Sequence, residues 1–299
     1  MKGQKKIRES INDKIFMRVI YLFLILILIV VLYPLIYVVS ASFSNPADVA
    51  AGRVVLFPVN PTMVGYDAVL KNVKIVKGFL NSVFYLIAGT SLQVAMTMLA
   101  AYPLSRKEFY GRQVINALFV FTMYFSGGLV PSYLLLKNLH LLNTRAAVIV
   151  PTAMSVWNVI IARTYLQTTI PDELFEAAEL DGCSIIGFFF KIVLPLSAPI
   201  IAVLVLYYGV GNWNSYFNAM IYLKSQELYP LQLVLREILT LGKVDMTMVT
   251  DMEALQRLQG LTALLKYSVI VVASLPMMLI YPFVQKYFVK GVMIGSLKG

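Results

Sequence analysis

The sequence predicts an all-α membrane protein with six transmembrane helices. Three observations predict it. Of its 299 residues 59% are hydrophobic and only 13% charged. The mean hydropathy is +0.77. Six charge-free stretches meet or approach the roughly 20 apolar residues that a spanning helix needs. A soluble domain is about half apolar and about a quarter charged, so this chain lacks the polar surface to cover a globule in water. The net charge of +10 does not indicate nucleic acid, because the basic residues do not cluster on a polar face between aromatics. Several instead end apolar runs, where they anchor at lipid headgroups.

The first run, Val19–Val39, follows Lys2, Lys5, Lys6 and Arg8 and precedes Ser40-Ala41-Ser42, as a cleaved leader would. It is longer than the 7–15 apolar residues of a leader and reads as a retained span. The second, Phe79–Leu104, carries Asn81, Thr90, Gln93 and Thr97, the last three recurring on one helix face. The third, Val114–Leu136, is interrupted by Gly127-Gly128 and Pro131. Those residues permit either a kink beside a cavity or close helix packing. The fourth is Ala146–Ala162. The fifth, Ile192–Leu223, is too long for one simple span; its first residues are expected along the membrane surface before Pro195, with the true span after it. The sixth is Tyr267–Gln285.

Orientation follows from the basic residues at the ends. The N-terminal segment holds Lys2, Lys5, Lys6, Arg8, Lys14 and Arg18, which keeps it cytoplasmic. Six spans return the C-terminus, with Lys286, Lys290 and Lys298, to that side of the cell membrane, and the inner loop with Arg106, Lys107 and Arg112 agrees. Residues 1–77 form an N-terminal segment with the first span and an outer loop; the core module is expected over 78–286, and a tail over 287–299. In the outer segment Lys224–Lys266, Leu233–Leu239 reads as helical, and Val249–Leu258 as a second such piece.

Between spans four and five lies Ile170-Pro171-Asp172-Glu173-Leu174-Phe175-Glu176-Ala177-Ala178-Glu179-Leu180-Asp181-Gly182. Pro171 suits a first helical turn, Asp172 and Glu173 complement the helix dipole, and Gly182 suits a left-handed stop. These signals predict a helix of about ten residues, a turn, and a second helical piece ending before Pro195. Leu174, Ala177 and Ala178 share a small apolar face. Caps and amphipathic faces are generic, so this helix alone does not name a function.

The full spacing is less generic. Glu176-Ala177-Ala178, three residues, Gly182, nine residues, Ile192, one residue and Leu194-Pro195 resembles the EAA loop of binding-protein-dependent ABC importer permeases, here spanning 171–195. The tail Gln285–Gly299, with its closing Lys-Gly, looks like that of the carbohydrate-import branch, the maltose-permease-like group. Met123–Pro131, Gly211–Ala219 and Tyr229–Leu239 resemble a narrower group importing complex oligosaccharides of the alginate and pectin-fragment type. The likeness covers roughly Phe79 to Gly299 and implies the six-helix core of a type I ABC importer permease. It implies that Glu176, Ala177, Ala178, Asp181, Gly182, Leu194 and Pro195 form a coupling segment docked on a cytoplasmic ATPase subunit. It further implies a second, related permease subunit, and an extracytoplasmic substrate-binding lipoprotein that meets the Lys224–Lys266 loop. ATP and Mg would sit on the ATPase, and no cofactor on this chain.

Sugars stack on aromatic rings while amides and hydroxyls bind their rims. The densest aromatic–amide cluster includes Tyr208, Asn212, Trp213 and Asn214, with Trp157 and Asn158 on the fourth run. These are candidates for the sugar pathway, an interfacial belt being the alternative. Interhelical hydrogen bonding is the preferred reading of the face through Gln93.

The chain has no Gly-x-x-x-x-Gly-Lys-Ser/Thr phosphate loop, so it does not hydrolyse ATP itself. It lacks the intramembrane charges of an ion-coupled carrier, the principal alternative, and the paired acid–base groups of a membrane enzyme. The single Cys183 excludes an internal disulfide and a cysteine-rich metal site, and the lone His140, in a predicted loop, reads as a solvated residue and not as a ligand.

Overall fold

A computed structural model describes residues 10–241, 260 and 262–282; the tail from Gln285 and the segment Val249–Leu258 lie outside these residues. The helices are α1 (Ile11–Ser42), α2 (Pro46–Ala50), α3 (Val64–Lys71), α4 (Val73–Ser105), α5 (Arg112–Tyr124), α6 (Leu129–Asn138), α7 (Arg145–Ile149), α8 (Val156–Thr169), α9 (Asp172–Leu180), α10 (Ile185–Phe188), α11 (Leu194–Leu196), α12 (Ala198–Asn214), α13 (Phe217–Tyr222) and α14 (Leu231–Leu241), followed by α15 (Thr262–Pro282). Among the described residues α1, α4 and α15 are each long and apolar enough to cross a membrane. The other three runs qualify only as bent pairs: α5 with α6 at 112°, α7 with α8 at 50°, and Ile185–Leu196 with α12 at 77°.

The chain divides into two compact units. The first comprises residues up to Val69 and those up to Val272 at the start of α15. Its α1 begins at Ile11, ahead of the predicted run, because Ser10 and Asp13 form a reciprocal capping box. Near the end of α1, serine hydroxyls tie in the segment that follows. Ser40 Oγ donates to the Leu56 carbonyl at 2.6 Å, and Ser44 Oγ accepts from the Val59 N–H at 3.0 Å. Buried Asp48 accepts from Arg53 at 3.0 Å and Asn60 at 2.8 Å, which meets the requirement that a buried charge be paired.

The second unit is built on α4. Its 33 residues extend about 50 Å at 1.5 Å per residue. Asn81, Tyr85, Gly89, Gln93, Thr97 and Ala101, every fourth residue, are all buried. That ridge packs against α8, α12 and α14, as i, i+4 rows do. Where α4 meets α14, a Cβ on Gly78 would lie 3.3 Å from the Leu231 backbone, so the glycine sets this close approach. Asn81 fixes the preceding loop by donating to the carbonyls of Glu227 at 2.6 Å and Tyr229 at 3.1 Å.

The break in the third run, where the sequence allows either a kink or close packing, is a 112° bend with Gly128 at φ +84°. Three sequence expectations change. The fourth helix continues past Ala162 to Thr169 and carries Arg163. Pro171 is not in the first turn of α9 but caps it, with ψ 154°. The helical piece after α9 does not end before Pro195 but runs through it to Leu196. A wide i→i+5 turn over Phe189–Val193 absorbs the proline, which has no N–H to give. The chain bends instead at Ser197, just ahead of the second proline, Pro199.

Candidate functional site

α9 is closed at both ends by local chemistry. Asp172 and Glu173 occupy its first turn. At its end Gly182 has φ +74°, and Cys183 N–H donates back to the Ala178 carbonyl at 2.9 Å, the pattern of a glycine stop. Ser184 then caps α10, its hydroxyl accepting from the Gly187 N–H at 3.1 Å.

The inner face of α9 is Leu174, Phe175 and Ala178, packed on the core that includes Ala162, Leu166 and Phe188. Ala178, read from sequence as part of the docking surface, is only 7% exposed and serves the chain's own packing. Glu176, Ala177, Asp181 and Gly182 lie together on the exposed side. Leu180 joins them with 90% exposure, and Ile185 and Ile186 of α10 are also open; the EAA spacing singles out none of these three. Leu194 and Pro195 sit at the far end of the next helical piece, beside the 77° bend. Leu194 is half-buried against the core.

Two basic residues distant in sequence meet α9 from behind. Lys107 Nζ lies 2.9 Å from Asp172 Oδ2, and Arg106 Nη1 lies 3.6 Å from Oδ1. The Arg106 guanidinium stands 4.8 Å over the Phe175 ring. The hydrogen bond from Lys107, with the charges of Lys107 and Arg106, holds the Asp172 carboxyl below its ordinary value and raises the Lys107 amine. A depressed carboxylate contributes its pairing fully above the unfolded value and loses it as pH falls through the folded one. Difference infrared spectroscopy with Asp172→Asn as reference should therefore find Asp172 titrating below an ordinary aspartate; a midpoint at or above that value would contradict the pairing.

A cavity of about 500 Å³ lies between α4, α12 and the turn joining α7 to α8, lined by Gln93, Thr152, Ser155, Tyr207, Tyr208 and Asn212 among others. Its polar groups are cross-linked. Asn212 donates to Gln93 Oε1 at 2.7 Å and Thr90 Oγ1 at 3.0 Å. Gln93 donates to the Thr152 carbonyl at 2.8 Å. The Thr97 and Tyr208 hydroxyls lie 2.6 Å apart, and the Ser155 N–H donates to Tyr208 at 3.1 Å.

Of the six pathway candidates, Tyr208 and Asn212 line this cavity and the others do not. Trp213 is 1% exposed, its indole N–H donating to the Ala273 carbonyl at 2.8 Å and its ring edge-on to Phe79. Asn214 faces outward and donates to the Val210 carbonyl of its own helix. Trp157 is exposed and Asn158 buried. One residue's difference along α12 turns a side chain by about 100°, so neighbours in this cluster could not share a fate. Among the described residues no His, Cys, Asp and Glu side chains gather as a metal site would need.

No family model matches the chain. The polygalacturonan/rhamnogalacturonan transport system permease protein YtcP of Bacillus subtilis is 39% identical over 96% of this chain and all of its own length. This chain belongs to the carbohydrate ABC transporter permeases. Protein LplC of Bacillus subtilis is 40% identical over 90% of each chain. Among solved structures, the permease is similar to a chain in the crystal structure of a bacterial ABC transporter involved in the import of the acidic polysaccharide alginate. The TM-score is 0.86 at 31% identity, covering 95% of this permease and all of that chain. The permease is thus an all-α membrane protein of an ABC import system.

Proposed function

We propose that this permease carries an oligosaccharide, delivered by an extracytoplasmic binding lipoprotein, across the cell membrane together with a second, related permease subunit. Both termini lie in the cytoplasm, the core module runs over 78–286, and ATP with Mg is held and hydrolysed on separate ATPase subunits. The permease itself catalyses no reaction. The exposed end of α9, with Glu176, Ala177, Leu180 and Asp181, is the surface that receives the ATPase. One observation carries this reading. α9 is fixed from behind by Phe175 and Ala178 while its outer side is open, so it can transmit a push as a rigid element. The carbohydrate transport relatives add that the cargo is a carbohydrate; those named for polygalacturonan and alginate favour an acidic one.

The test is purification of the permease complex with its ATPase and uptake of labelled oligogalacturonide by proteoliposomes. Uptake should require ATP inside the compartment where the ATPase faces. Glu176→Lys should reduce co-purified ATPase at least tenfold while membrane insertion stays normal. Uptake driven by a proton gradient without ATP, or full ATPase retention by Glu176→Lys, would overturn the reading.

A further inference from the structure

The geometry points to Arg106 as the positioning residue that ties α9 to α4, and so passes the movement of the docking helix to the cavity. This inference rests on the coupling reading of α9. Arg106 follows directly on α4 and caps it, its N–H donating to the Pro103 carbonyl at 3.2 Å. It is 8% exposed, unusual for an arginine, since buried charges are kept only when paired.

Its guanidinium meets α9 at two points of different chemistry. Nη1 faces the Asp172 carboxylate at the helix start, and the cation lies over Phe175 one turn on. Phe175 is itself edge-on to Phe188 of α10 at 5.2 Å. Glu108 adds a carboxylate 3.8 Å from Nε. The loop is braced from its other side, where Arg112 Nη1 donates to the Arg106 carbonyl at 3.2 Å. Nη2 is buried with no hydrogen-bond partner, so part of the fork's donor capacity is unused in this arrangement.

The other end of the link is the α4 ridge. Thr97 and Gln93 lie two and three turns back from Ser105, about 12 to 18 Å at 1.5 Å per residue. They bond Tyr208, Thr152 and Asn212, the residues that draw α12 and the α7–α8 turn around the cavity. A displacement of α9 that drags Arg106 therefore moves a continuous helix whose side chains hold the cavity wall. Lys107 makes the shorter contact to Asp172 but is exposed, and exposed pairs contribute little. Arg106 and Lys107 should thus separate by experiment.

The test uses the full complex in proteoliposomes, reading oligogalacturonide moved per ATP hydrolysed together with the amount of ATPase bound. Arg106→Gln should keep bound ATPase within twofold and lower sugar moved per ATP at least tenfold. Arg106→Lys, which keeps the charge without the fork, should fall between it and the parent, and Lys107→Gln should stay within twofold of the parent. Asp172→Asn should act in the same direction as Arg106→Gln. The two combined should be no worse than Arg106→Gln alone, because residues acting through one contact are non-additive. Unchanged stoichiometry in Arg106→Gln, full additivity of the pair, or loss of membrane insertion shared by Arg106→Gln and Arg106→Lys would overturn the inference. Glu176→Lys, run beside them, separates the two readings. If it keeps the ATPase, α9 is not the docking helix; if it loses the ATPase while Arg106→Gln stays tightly coupled, only the role of Arg106 falls.

Discussion

Trp213→Ala should destabilise the permease by about 3–5 kcal/mol, the range for emptying a large buried aromatic site. The indole is enclosed, packed edge-on against Phe79 at 5.6 Å, and donates to the Ala273 carbonyl at 2.8 Å. Truncation removes three contributions at once: apolar burial, the aromatic pair, and the indole hydrogen bond to a carbonyl of α15. Trp213→Phe keeps the ring contact and loses only that hydrogen bond, so its cost should be about 0.5–1.5 kcal/mol. The measurement is the fraction of detergent-solubilised complex surviving a heat step, read by gel filtration across a range of temperatures. Were Trp213 a sugar-stacking residue, alanine would instead lower uptake while thermal survival stayed at the parent's level.

The second large effect is expected at the crossing of α4 and α12. A Cβ on Gly89 would lie 2.9 Å from Asn212 Nδ2 and within 3.3 Å of two further atoms of that amide. The crossing is therefore closed to larger side chains, as small residues permit between membrane helices. Gly89→Leu should push Asn212 away from Gln93 and Thr90, costing about 1–3 kcal/mol in overpacking, and should reduce uptake more than tenfold as the cavity wall separates. Gly89→Ala should act in the same direction and less strongly, because the amide can shift by a few tenths of an ångström. Parent-like uptake and thermal survival in Gly89→Leu would show that α4 and α12 do not meet here.

The α9 segment shows how far local sequence reaches. Its start, its stop at Gly182 and its two-sided character follow from interactions within four residues, so caps and periodicity expose them. The inward turn of Ala178 is different. Ala177 and Ala178 are chemically identical, and their 100° separation around the axis matters only once Ala162, Leu166 and Phe188 supply a surface. Arg106 carried an even weaker signal. A basic residue directly after an apolar run reads as a headgroup anchor, and nothing nearby announces Asp172 or Phe175. The aromatic–amide cluster of α12 divided for the same reason: Asn212 meets Gln93, Trp213 meets Phe79, and Asn214 turns outward.

The sequence by itself determined that this is a helical membrane protein with six apolar runs, that α9 is a capped helix with an acidic side, and that the chain resembles carbohydrate importer permeases. Those properties depend on composition, on spacing along one helix and on the i→i+4 reach of a cap. Only the tertiary structure decided the 112°, 50° and 77° bends, which polar side chains line the cavity, and which tie helices together. It also brought Arg106 under α9. Each of these depends on the face a helix turns toward its neighbour, and in a run that is apolar all round the sequence carries little record of that choice.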